Sequence, residues 1–104
     1  MKTVITASGN NTSALFDKRF GRAEWFCVYS DDSGETIFLN NANIDANNGA
    51  GVKAAERMIE LGVAKVISGD FGPKAKDLLN KFDVQMVILR EDDLTIDDIL
   101  KKLK

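Results

Sequence analysis

The feature that most constrains the fold is a change of hydrophobic period at Gly49. Before it, apolar residues come in short β-branched and aromatic runs: Thr3-Val4-Ile5-Thr6-Ala7, Trp25-Phe26-Cys27-Val28-Tyr29 and Thr36-Ile37-Phe38-Leu39. Such runs, bounded by Ser8-Gly9-Asn10-Asn11 and Asp31-Asp32-Ser33-Gly34, read as strands. After Gly49 the spacing turns helical, with Val52, Ala55, Met58 and Ile59 on one stripe and Gly62 where a helix commonly closes. Val63–Ser68 is again strand-like. Pro73 opens a second helix whose buried stripe is Ala75, Leu78, Leu79 and Phe82. Val84–Leu89 is the fifth strand, and Thr95 with Asp98 three residues on resembles a capping box opening a helix whose inner face is Ile96, Ile99, Leu100 and Leu103. Asp97 and Asp98 near the start of that helix, and Lys101, Lys102 and Lys104 near its end, suit its dipole.

The element order is therefore β-β-β-α-β-α-β-α. The short turn at Asp31–Gly34 makes strands two and three an antiparallel hairpin. The later βαβ units demand parallel pairing through right-handed crossovers. The combination predicts an α/β fold with a mixed five-stranded sheet in the order 3-2-1-4-5, strand two antiparallel, flanked by helices. No repeat or composition break divides the chain, so residues 1–104 are expected to form one domain. The segments Ser8–Asn11 and Asn40–Asn48 are polar and asparagine-rich. They predict loose loops, over residues 8–19 and 40–50, that become ordered when a ligand arrives.

Composition removes several function classes. Net charge is −2, which gives no global field toward nucleic acid or an anionic membrane. No apolar run approaches the ~20 residues of a membrane span, and no targeting segment opens the chain, so a cytoplasmic location is expected. Histidine is absent, which excludes imidazole bases and the commonest zinc ligand. The single Cys27 cannot form an intramolecular disulfide, and its mid-strand position predicts a small core residue. One cysteine without histidine cannot build a closed zinc or iron–sulfur site. Any cluster carried by such a chain arrives preassembled and is held by charge and shape.

Against this ordinary background, Phe16 to Phe26 stands out. Lys18, Arg19 and Arg22, Gly21 and four aromatics share one short segment, where a mere connector would be short and polar. Phe16 and Phe20 are expected to fix the loop to the body. Arg19 and Arg22 offer planar donors to an anion, and Gly21 permits close backbone approach. Residues 1–22 carry four cations against Asp17 alone. In open α/β sheets ligands gather beyond the carboxyl ends of the strands, at the point where strand order reverses. That point lies between strands one and four. The loops meeting there are Ser8–Arg22 and Gly69–Pro73, joined by the segment ending in Asn48-Gly49-Ala50-Gly51. Glycine-punctuated helix starts there offer free N–H groups. The candidate cofactor-binding residues are thus Ser8, Arg19, Phe20, Gly21 and Arg22 from the first loop. Gly49, Ala50 and Gly51 come from the second segment, and Gly69, Phe71, Gly72 and Pro73 from the third. Phe20 and Phe71 are expected to wall the ligand.

Rival motifs fail on spacing. Gly49-Ala50-Gly51 lacks the third glycine and the preceding strand of a dinucleotide fingerprint, and Gly69–Lys74 lacks the phosphate-loop spacing. Two-metal nuclease chemistry needs carboxylates at the strand ends, yet strand one offers only Thr3, Thr6 and Ser8. Asp70 is expected to be a turn or helix-capping residue.

Phe20-Gly21-Arg22-Ala23 with Phe26 after it, Gly49-Ala50-Gly51, Gly62-Val63 and Ser68-Gly69-Asp70-Phe71-Gly72-Pro73-Lys74-Ala75 resemble the dinitrogenase iron–molybdenum cofactor biosynthesis family. That family includes the NifX and NafY type carriers and the C-terminal domain of NifB. The resemblance implies a ribonuclease H-like three-layer fold without nuclease residues. It also implies a non-enzymatic carrier of the iron–molybdenum cofactor, its precursor or a related metal–sulfur cluster, working with cofactor-assembly proteins. The chain departs from the pattern in having no histidine near the loop, where Lys18 and Arg19 stand instead. A regulatory or partner-docking domain of the same fold is the alternative, and an enzyme acting on a phosphorylated small molecule is the third.

Overall fold

A computed structural model describes residues 1–42 and 49–104. Five strands form one sheet in the order β3-β2-β1-β4-β5. They are β1 (Lys2–Ala7), β2 (Trp25–Ser30), β3 (Glu35–Asn40), β4 (Val63–Ser68) and β5 (Gln85–Ile88). The helices are α1 (Ala50–Glu60), α2 (Pro73–Lys81) and α3 (Ile96–Leu103). β2 runs antiparallel to both β1 and β3, while β1–β4 and β4–β5 are parallel. This is the predicted α/β order and the ribonuclease H-like layering.

Both faces of the central strands are covered, which is why these strands read as continuous apolar runs. On one face Val4, Phe26, Val28 and Val66 pack with Ala54, Ala55 and Met58 of α1 and Ala75 and Leu79 of α2. On the other, Ile5, Cys27, Tyr29 and Ile67 pack with Ile96, Ile99 and Leu100 of α3. Cys27 is fully buried, as its strand position predicts, and burial pushes its thiol up to about 12. Gly62 takes φ 71 just after α1, a conformation that favours glycine and stops the helix.

Three local expectations change. β5 is shorter than the apolar run Val84–Leu89, because the Val84 amide donates instead to Leu79 O (2.9 Å) and closes the end of α2. Phe82 leaves the buried stripe and is 52% exposed, since α2 ends at Lys81 and Phe82 is its C-cap. Asp70 lies in the connection between β4 and α2 but does not cap α2, whose N-cap is Gly72, without a side-chain hydrogen bond.

Candidate functional site

The loop after β1 is tied down along its length. The Ser8 amide and hydroxyl both donate to Leu15 O (2.9 and 3.0 Å), and the Ala14 amide donates to Asn11 O (3.1 Å). The amides of Ile96 and Asp97 at the start of α3 donate to Ala14 O and Thr12 O, each at 2.9 Å. The Phe16 amide donates to Leu94 O (2.8 Å). The expected looseness of residues 8–19 is therefore corrected. Hydrogen bonds to a segment some eighty positions away hold this loop. For the second segment expected to be loose, residues 43–48 lie outside the described residues.

The next turn is fixed from below by two buried hydroxyls at the ends of adjacent parallel strands. Thr6 Oγ1 donates to the carbonyl of Asp17 and lies 2.8 Å from Ser68 Oγ. With the threonine hydrogen so used, Ser68 supplies the hydrogen between them. Both residues are fully buried. The Asp17 side chain is 7% exposed and receives three donors from one residue: Arg19 N (2.9 Å), Nε (3.1 Å) and Nη2 (2.9 Å). The carboxylate raises the guanidinium further above its usual value, chiefly through these hydrogen bonds. Arg19 thus turns one edge to Asp17 and keeps its side chain 67% exposed.

Phe20 is 1% exposed, with its ring 5.0 Å from that of Phe71 and 6.5 Å from that of Phe26, centroid to centroid. Two of the candidate ligand residues thereby pack on each other as the floor of the loop. Gly21 allows close approach, and what comes close is the start of α1. A Cβ on Gly21 would stand 2.7 Å from Gly51 N and 2.8 Å from its Cα, against backbone. Gly69 packs likewise on Lys18, whose Cα would lie 2.8 Å from an added Cβ. The predicted segments do converge, then, and their glycines serve contact between the segments. Gly49 has φ 77 ahead of Ala50, which is buried, while Gly72 and Pro73 are exposed at the start of α2. Arg22 is exposed and does not line the basic concavity described next.

Two residues were missing from the sequence-level site. Asn41, 2% exposed, donates from Nδ2 to Gly21 O (3.1 Å) and Ala23 O (2.7 Å), fastening the loop to the end of β3. Arg90 follows β5 and faces the same end of the sheet as Lys18 and Arg19. With Gly69 and Asp70 these residues line an open concavity of about 410 Å³. The rule that pointed to the loops after β1 and β4 applies equally to β5 and would have reached Arg90. Lys18 is also ion-paired with the exposed Asp92. Among the described residues no three His, Cys, Asp or Glu side chains gather to hold a metal ion. No helix there is long and apolar enough to cross a membrane.

Comparisons with known proteins bear on the fold and the family. The sequence matches the family described as dinitrogenase iron–molybdenum cofactor over residues 1–104. No curated protein matches the chain. Among solved structures, the apo form of the orange protein from Desulfovibrio gigas superposes with a TM-score of 0.89 at 28% identity. That match covers 98% of this chain and 85% of the other. A putative NifB protein from Thermotoga, solved by NMR, gives a TM-score of 0.82 at 25% identity with the same coverages. With its whole length matched and the fold shared, the chain belongs to the dinitrogenase iron–molybdenum cofactor family, a family of small cofactor-binding proteins.

Proposed function

We propose that this chain is a non-enzymatic carrier that holds an anionic, preassembled metal–sulfur cluster against Lys18, Arg19 and Arg90. The iron–molybdenum cofactor, its precursor or a related cluster is the cargo, exchanged in the cytoplasm with cofactor-assembly proteins. The observation that carries this reading is the meeting of three cations, from the loops after β1 and β5, around a concavity whose one acid among the described residues is Asp70. Family membership and a relative solved in its apo form support a bound group.

The donor set fits cargo held from outside rather than ligated. The only thiol is buried in the opposite-face core and stays protonated across the neutral range, so it is neither exposed nor a thiolate. Cationic side chains remain, and these suit the sulfide and oxo edges of a polyanion. Of the candidate residues from the sequence, Arg19 contacts the cargo through its free edge. Gly69 shapes the concavity, and Gly21, Gly51, Phe20 and Phe71 hold the loops that form it; Asp70, not a candidate from the sequence, lines it as well.

Anaerobic reconstitution with iron, sulfide and molybdate tests the proposal. The protein should emerge with visible absorption that survives desalting. Arg90→Ala should weaken retention by about 1.5 kcal/mol, the low end for a charge-assisted contact, or roughly tenfold, with the fold intact. Cys27→Ala should stay coloured. A colourless wild type, or colour lost only in Cys27→Ala, overturns it.

A further inference from the structure

β5 is the last strand of the sheet, paired with β4 on one side only. The Leu89 amide donates to Ser68 O (2.9 Å), so Leu89 faces β4. In a parallel pair this orientation alternates, which turns the amides and carbonyls of Met86 and Ile88 outward. Among the described residues neither has any other backbone partner. Natural edges are commonly blunted by proline, lysine or a bulge. The β5 sequence Gln85–Ile88 contains no proline or lysine, and its pairing with β4 is unbroken.

Beside this open edge, between β5 and α2, lies a cleft of about 450 Å³. Its lining includes Phe71, Lys76, Asn80, Met86, Ile88 and Arg90. Ile88 is 47% exposed there. The side chains of Lys76 and Arg90 are exposed and make no ion pair or hydrogen bond among the described residues. Among the described residues Asp70 is the only acid in the lining. A free strand edge running along a helix-walled groove is the geometry that accepts an extended peptide as an added strand, with main-chain bonds for affinity and alternate side chains for choice.

We propose that the β5 edge and the α2 cleft bind an extended acidic segment of a partner protein, which adds a sixth strand and sets its carboxylates against Lys76 and Arg90. An added strand has period two, so carboxylates at every second position all fall on the α2 side in one of its two registers. The proposal stands on the edge and the cleft, independently of the cargo. Asp70 and Arg90 border both the cleft and the basic concavity, so a bound segment would sit beside the cargo.

The test is titration of a blocked hexapeptide alternating glutamate and valine into the isotope-labelled full chain. The amides of Met86 and Ile88 should shift and their hydrogen exchange should slow. Lys76→Glu should weaken binding at least about threefold, as expected for an exposed pair. Ile88→Pro removes an outward amide at an edge, where proline is tolerated, and should abolish binding while the core spectrum is unchanged. The proposal is overturned by unmoved β5 amides at millimolar peptide, or by equal binding of the peptide with lysine for glutamate. It also fails if Ile88→Pro binds as wild type does, or if β5 shifts follow protein concentration alone, which would mark a second copy of the chain as the occupant.

Discussion

Asp17 shows how one carboxylate redefines a segment that looks purely basic in sequence. Its side chain is almost wholly enclosed, and Arg19 spends an amide and one edge of its guanidinium on it. The arginine is therefore a brace, with one edge of its guanidinium left over for the anion binding proposed above. Replacing Asp17 by Asn removes the charge but keeps the shape. Because Arg19 stays largely in water, no buried cation is orphaned, and the cost should be about 1–2 kcal/mol, read by urea denaturation. The same change should strengthen anion binding by releasing Arg19. Weaker anion binding with unchanged stability would contradict the brace. The aromatic-basic loop itself was legible from residue types. The partner of Arg19 was not, since Asp17 two positions earlier looked like one more exposed charge. Cys27 was legible, because a small residue inside an apolar strand has few alternatives. Its thiol ionises near 9.0 in the ordinary case and near 12 when buried here. The folded form thus keeps a proton that the unfolded chain loses, so the stabilisation is complete below pH 9 and decays from pH 9 toward 12. Cys27→Ala should remove that alkaline slope relative to wild type, and equal slopes in both proteins would refute it.

At the scale of elements, α3 shows how far a local signal reaches. The Thr95/Asp98 capping box was visible in sequence and forms: Asp98 N donates to Thr95 Oγ1 (3.1 Å) and Thr95 N to Asp98 Oδ2 (3.0 Å). Thr95→Ala should cost about 1 kcal/mol in thermal or chemical unfolding, as caps generally do. The amide of Thr95, then its hydroxyl partner, hold the Asp98 carboxyl below its usual value of 3.8. A depressed folded-state value stabilises above the unfolded one and loses that stabilisation as pH falls further. The wild type should therefore lose stability below pH 3.8 more steeply than Asp98→Asn, and parallel acid limbs would show that the box carries none of the effect. What the sequence hid is the other half of this helix start. Its first amides reach back to Thr12 and Ala14. Asparagine and serine runs look like loose turns in sequence because their hydrogen-bond partners lie far along the chain, and no periodicity reports such a bond.

For the whole molecule, the change of period at Gly49 was enough to give strand order and layering, because chain connectivity and handedness leave few alternatives. The glycines were half legible. Gly21 and Gly69 do mark close approach, but a sequence does not say what approaches, and here it is α1 and Lys18. The carboxyl end of the sheet is consequently one interlocked body, built from the loop after β1, the starts of α1 and α3, and the end of β4. Such a body should open as a unit. The last prediction follows from that coupling and concerns amide exchange in the free protein. Val4, Ile5, Val66 and Ile67 lie in the central strands with both faces covered. Their amides should exchange most slowly, through global unfolding. The amides of Phe16, Ile96 and Asp97 bond across the same seam, to Leu94, Ala14 and Thr12. Breaking one exposes the others, so the three should share a single opening free energy below the global value and the same denaturant dependence. Met86 and Ile88, whose amides face away from β4, should exchange fastest among the strand amides. Fast exchange at Phe16 beside slow exchange at Ile96 would mean that the loop opens without the helix. The interlock would then be a static contact rather than a cooperative unit.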